Sequence, residues 1–246
     1  MSLITRLRTV DEKAKEKAVE TLVSESTPDF DFFLLVVIAT VTASFGLLIN
    51  SAAVVIGSML LAPILYPVLS ISLGVAISDG PLIGRSISTL IKASALGVGS
   101  SALVALLFGD GSLNFEILSR TDPSLIYFAI ALLAGFAVVY TLVKPELSAT
   151  LPGVVVSVAL LPPLAVIGVG LAYAEWTVII GSLVLFVINI GGIFFASLAT
   201  LSLMSVYRKK KLVDATLKEE NHRVEEEKKE IKKVEEQDKK ELTEKA

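Results

Sequence analysis

Cysteine is absent from the 246 residues, and histidine and tryptophan occur once each. Without cysteine there is no disulfide, no thiolate nucleophile and no sulfur-ligated metal. The one histidine, His222, lies in a tail crowded with Lys and Glu, where a solvated imidazole needs no partner. No serine–histidine pairing, HExxH or GxxxxGK[ST] phosphate cradle can be found. Paired carboxylates are also missing from the apolar stretches, because Asp79, Glu146 and Glu175 all fall at their ends. These absences argue against an enzyme, with no catalytic, cofactor-binding or metal residues to name, and they leave no nucleic-acid partner in view. They weaken a proton-coupled pump as well, which usually needs a carboxylate or histidine inside the membrane. Breakers are scarce near the C-terminus, where no glycine follows Gly192 and no proline follows Pro163.

What is present is apolar, at 53% of residues and a mean hydropathy of +0.73. The apolar residues come in runs, several near the roughly 20 residues needed to cross about 30 Å of hydrocarbon. The expectation is an all-α polytopic membrane protein of about six spans. Residues 1–30 set Ile4, Leu7, Val10, Ala14 and Ala18 among Arg6, Arg8, Lys13, Lys15 and Lys17, the pattern of an amphipathic helix. It lies on the membrane surface or packs on the cytoplasmic side of its own protein, and Thr27-Pro28 closes it. A first run spans Phe32–Ile49. Asn50-Ser51 is a tight turn whose polar side chains suit the cap of a helix starting at Ala52. That second span, to Ile77, must accommodate Pro63 and Pro67, each of which removes an internal hydrogen bond.

Asp79-Gly80-Pro81 reads as a turn, and the third span runs from about Ser86 to Phe108 with small residues Gly97, Gly99, Ser100 and Ser101 in its middle. Residues 109–123 form a polar connection holding Asp110, Glu116, Arg120 and Asp122. A fourth span covers Leu125–Val143, then Lys144-Pro145-Glu146 leads to a fifth interrupted by Pro162 and Pro163. Glu175-Trp176 marks a membrane boundary. The sixth run, Thr177–Tyr207, carries Asn189 beside Gly191-Gly192 and meets no breaker before the tail. In the tail Leu217, Val224 and Ile231 recur every seven residues, with Val213 and Val234 at companion positions. A weak coiled-coil seam and a solvated or disordered charged tail both fit.

The second and fifth spans resemble one another. Val54-Val55 matches Val154-Val155, Leu60-Leu61 matches Leu160-Leu161, and Pro63 matches Pro163. Lysine and arginine cluster on one side if both termini are cytoplasmic, with Arg120 alone outside. Three spans per half then give two inverted repeats, about 31–108 and 124–207, with proline-broken second and fifth helices at matching depth; a tandem arrangement with re-entrant hairpins is the alternative. The domain plan is an N-terminal cytoplasmic helix (1–30), a transmembrane domain (31–207) and a charged cytoplasmic tail (208–246).

The blocks GLLINSAAVVIGSMLLAP (46–63), EILSRTDP (116–123) and GVVVSVALLPPLAVIGVGLA (153–172) resemble the signature blocks of an uncharacterised prokaryotic membrane family catalogued as domain of unknown function 389. The resemblance covers roughly residues 32–200 and leaves the polar tail outside. It implies a hydrophobic membrane domain in the prokaryotic inner membrane, and no substrate. The family's Asn-Ser pair, Arg-Thr-x-Pro loop and Pro-Pro pair correspond to Asn50-Ser51, Arg120-Thr121-Asp122-Pro123 and Pro162-Pro163. Ser157 stands where a smaller residue of the family's pattern is expected.

Two functional readings follow. One is a carrier or channel for a small solute or ion, with a midplane site at the broken helices formed by Asn50, Ser51, Ser58, Pro63, Pro67, Arg120, Ser157, Pro162, Pro163 and Asn189. The other is a non-transporting membrane scaffold, in which the tail serves oligomerisation or partner binding. The bilayer and further copies of the chain are the expected partners.

Overall fold

The computed structural model describes residues 11–61, 63–144, 150–204 and 209–244, with the side chains of 150–159 and 235–244 outside that description. Ile4, Leu7, Val10, Pro145, Glu146 and Arg208 therefore lie outside the described residues, as does the side chain of Ser157. Among the described residues every regular element is a helix: α1 (Glu12–Glu25), α2 (Phe30–Leu48), α3 (Ala52–Met59), α4 (Leu65–Ile77), α5 (Gly80–Phe108), α6 (Phe115–Leu118), α7 (Leu125–Leu142), α8 (Thr150–Ala172), α9 (Trp176–Leu203) and α10 (Lys210–Glu244). Of these, α2, α5, α7 and α9 are long and apolar enough to cross a membrane, and α4 is a shorter apolar helix.

The caps explain where several helices begin. Asp29 Oδ1 accepts from Phe32 N at 2.8 Å to start α2. Ser51, rather than Asn50, caps α3 by accepting from Val54 N. The Asp79 side chain takes Leu82 N at 2.8 Å, and Pro81 sits in the first turn of α5, where its missing N–H has no helical partner to lose. The expected turn at 79–81 is thus the start of α5, six residues ahead of Ser86.

The prolines behave unequally. Pro63 lies in the turn that separates α3 from α4, so the second apolar segment is broken as expected. Pro67, however, sits in the first turn of α4 and interrupts nothing. The expected break in the fifth segment is not found either, because α8 runs as one helix with Pro162 and Pro163 inside it. Neither proline can donate to the preceding turn, yet Leu160, Leu161, Leu164, Ala165 and Val166 are all buried around them. Packing on both sides of the pair holds the helix together where its own ladder is incomplete.

Helix α8 packs on α2, α3, α5, α7 and α9, and α9 also crosses α4. The small residues make the closest approaches. A Cβ on Gly97 of α5 would meet Leu164 Cδ2 at 2.9 Å, one on Gly168 would meet Ser101 Cβ at 2.5 Å, and one on Gly192 would meet Ala131 Cβ at 2.6 Å. Gly99, grouped with them by sequence, faces open space. Buried hydroxyls join the helices: Ser44 Oγ donates to Ser101 Oγ at 2.8 Å, and Ser101 Oγ to Ala165 O at 2.6 Å.

The amphipathic N-terminal segment packs on its own protein. Ala18, Val19, Leu22 and Val23 of α1 are buried against α4 and α10, and Ser70 Oγ of α4 donates to Leu22 O at 2.6 Å. The last apolar helix does not run on into the tail as its lack of breakers implied. It ends at Leu203, and the separate helix α10 lies against α1, burying Val213 and Leu217 there. Two members of the seven-residue seam are thus spent within the chain, whereas Ile231 and Val234 remain exposed at 44% and 56%.

Candidate binding cavity

Residues 109–124 are tied to the bundle at both edges. Asn50 adopts a left-handed conformation, φ 55°, tolerated by asparagine better than by most side chains. Its Oδ1 accepts from Glu116 N at 3.1 Å. Asn114 caps α6 by accepting from Ile117 N and donates through Nδ2 to Leu47 O at 2.6 Å. On the other edge Thr121 O fills the space where a Cβ of Gly181 would be, and Ser182 Oγ donates to Arg120 O at 3.0 Å.

These anchors fix Arg120. Its Nη2 lies 2.7 Å from Glu116 Oε2, and the two side chains are only 18% and 11% exposed. Nη1 donates to Glu116 O and to Ser119 Oγ. A guanidinium and a carboxylate this deep are tolerable because each neutralises the other. The carboxylate that meets Arg120 is therefore Glu116, one helical turn away, and not its neighbour Asp122.

Arg120 forms one wall of a cavity of about 270 Å³. Ser119 and Tyr127 flank it on the same side, with Tyr127 Oη donating to Ser119 O at 3.4 Å. Pro162, Pro163 and the buried Asn189 form another part of the wall, and Ile56, Met59, Ile130 and Leu185 complete it with apolar surface. Ile56 of α3 and Ile130 of α7 are about half exposed, and both helices pack on α8.

Of the residues singled out by sequence, Arg120, Pro162, Pro163 and Asn189 meet here. The others do not. Asn50 holds the loop, Ser51 caps α3, and Ser58 Oγ is buried donating to Val55 O at 2.6 Å. Pro67 is buried in α4. Pro63 lines a different cavity of about 230 Å³, with Glu25, Thr27, Asp29, Asp31 and, from the tail, Arg223. Arg223 Nη2 lies 2.9 Å from both Asp29 and Glu220, and Arg85 donates to Thr27 Oγ1. Lost hydration, and then the charge of Asp29, push the Glu25 carboxyl above its ordinary pKa. The matching prolines of the two halves thus face separate cavities, not one shared site. Sequence reasoning missed Ser119, Tyr127, Ile56, Met59, Ile130 and Leu185. Only Glu116 had a legible signal, its spacing of four from Arg120 on one helical face.

A family model described as a domain of unknown function (DUF389) matches residues 59–195. An uncharacterized protein of Methanocaldococcus jannaschii is 32% identical over 171 residues, 69% of this chain and 52% of that protein. The chain therefore spans about half the length of the relative it matches. No solved structure matches.

Proposed function

The chain belongs to this family of unknown function, and from that premise we propose that it is a multi-pass protein of the prokaryotic cell membrane. In this reading it is not an enzyme but a carrier or channel for a small solute or ion, which occupies the cavity beside Arg120, Pro162, Pro163 and Asn189. The observation that carries the reading is the cavity itself. A concave, mostly apolar site with a few convergent polar groups is the usual form of a small-molecule site, and this one sets the loop residue Arg120 against α3, α7 and α9. The proline pair adds a second polar feature, since two carbonyls of the preceding turn lose their N–H partners.

The proposed arrangement has six spans, α2, the broken α3–α4, α5, α7, α8 and α9, with both termini cytoplasmic and residues 109–124 outside. The distribution of lysine and arginine supports it. So do the bonds of Asn50, Asn114 and Ser182 to or from the 109–124 loop at one end, against those of Lys210 to Ser78 O and Arg223 to Asp29 at the other. An inverted repeat is supported by equivalent packing: α2 lies on α5 as α7 lies on α9, and α5 crosses to α8 as α9 crosses to α4.

A scaffold reading draws on one observation, the exposed Ile231 and Val234 of α10, which suit a seam with a second copy. A solute and ion flux screen in proteoliposomes separates the two. Flux above empty vesicles is expected, and Ile130→Trp, which enlarges a residue of the cavity wall, should reduce it. Flux at the empty-vesicle level for every solute and ion would remove transport and leave the scaffold.

A further inference from the structure

Among the described residues in the wall of the cavity, Arg120 is the one of a charged type. Glu116 compensates it from behind without lining the cavity. Building on the transport reading, we infer that the occupant is a small organic anion, a carboxylate with a short apolar body, whose charged end meets the guanidinium of Arg120.

The geometry leaves room for such a contact. A guanidinium has five N–H groups in a planar fork. Nη1 donates to Glu116 O and Ser119 Oγ, and Nη2 faces Glu116 Oε2 as an ion pair. The Nε and Nη2 edge of the fork is the side left to meet a carboxylate. Because Glu116 already balances the charge, a second carboxylate is held without the full attraction of an isolated cation. That suits a solute that must leave again, since a permeant site has to be weak enough to release. A cation would meet Arg120 with no acid among the described residues of the wall to receive it. A bare inorganic anion would leave the apolar side formed by Ile56, Met59, Ile130 and Leu185 without contacts. That side and a volume of about 270 Å³ select a short hydrocarbon body.

The test uses full-length protein in phosphatidylcholine vesicles and three probes of nearly equal size: butyrate, its neutral amide butyramide, and butylammonium. Uptake of butyrate above empty vesicles is expected, with the amide and the ammonium near background. Arg120→Gln alone leaves Glu116 buried and unpaired and so endangers the fold. The informative variant is Glu116→Gln with Arg120→Gln, which replaces a neutral pair by a neutral pair. Butyrate uptake should fall about tenfold in it, the scale of one lost charge-assisted pair, with the melting temperature near that of the parent. Undiminished butyrate uptake in the folded double variant overturns the inference. Uptake of butyramide or butylammonium in place of butyrate overturns the anion and leaves transport standing, whereas flux of none of the three, nor of any solute in a wider screen, overturns transport itself. Adding phosphatidylglycerol to the vesicles should leave butyrate uptake unchanged. Loss of uptake there would mean that a lipid head group, not a free carboxylate, is the anion that the cavity holds.

Discussion

Ser78 and Ala174 adopt the same left-handed conformation, φ 56° in each, at the turns from α4 to α5 and from α8 to α9. The resemblance extends along both turns. Asp79 N donates to Gly74 O at 2.8 Å, and Glu175 N donates to Gly170 O at 2.9 Å. In each the glycine lies under the next helix: a Cβ on Gly74 would meet Ile83 Cγ1 at 2.7 Å, and one on Gly170 would meet Ile179 Cγ1 at 2.9 Å. The turn at Asn50 repeats the pattern, with Ser51 N donating to Gly46 O at 2.8 Å. A helix can reverse in so few residues only if one of them is left-handed and the facing position is bare.

Ala174 has no side-chain oxygen to ease that conformation, so it carries the strain of a left-handed L-residue. Ala174→Gly is therefore expected to raise stability by up to about 1 kcal/mol. Gly170→Ala should cost about 1–3 kcal/mol by overpacking against Ile179. Unfolding in detergent, followed by circular dichroism, checks both signs.

Where α5 and α8 touch, Gly168→Ala would press a methyl onto Val98 O and Ser101 Cβ, both at 2.5 Å. Backbone cannot yield as a side chain can, and a loss of about 1–3 kcal/mol is expected. Ser101→Ala removes the bond to Ala165 O and should cost about 0.6–1.7 kcal/mol, the range for hydrogen bonds between apolar helices. The same unfolding measurement ranks the pair, with Gly168→Ala the more damaging.

The clamp of α10 on α1 should respond to acid. Hydrogen bonds from Lys15 and Lys209 hold the Glu12 carboxyl down from 4.5 to about 2. A carboxyl whose folded pKa is depressed stabilises the folded state fully above its unfolded value and loses that contribution as pH falls toward the folded one. Protection of the amides in residues 12–25, with the intrinsic pH dependence of exchange divided out, should thus fall between pH 4.5 and about 2, and added salt should lower it at neutral pH. Lys209, raised by Glu16 and Glu12, sets the alkaline limit of the same pairs, which are lost as pH rises through its elevated pKa. Protection that is flat across the acid window would contradict the assignment.

Removing proline from the two segments should have unlike effects. Pro162→Ala with Pro163→Ala restores two N–H donors inside α8 and alters the cavity wall, so a folded protein with changed flux is expected. Pro67→Ala, in the first turn of α4, restores no helical bond and should leave flux as it is. Equal flux in the parent and both variants would separate the proline pair from function.

The absence of native cysteine makes the proposed topology directly readable. Ser112→Cys in the loop and Lys218→Cys on α10 are both exposed positions. An impermeant thiol reagent should reach the first only from outside and the second only from the cytoplasmic side. Labelling of both from one side would overturn six spans with both termini inside.

Helical character and the apolar runs follow from the sequence alone, because length, hydropathy and capping residues such as Ser51 act within one turn of chain. The break at Pro63 was legible for the same reason. The uninterrupted course of α8 through Pro162 and Pro163 was not, because local chemistry favours a break there and burial among α2, α5 and α9 outweighs it. Nor could sequence show that Val213 and Leu217 would be spent on α1, since a seven-residue spacing marks an apolar stripe without naming what covers it. The cavity was the least legible feature. Met59, Arg120, Ile130, Pro163 and Asn189 come from five segments far apart in the chain, and only tertiary packing, which turns the two proline segments toward different cavities, decides that four of them share a wall with the guanidinium that Glu116 holds.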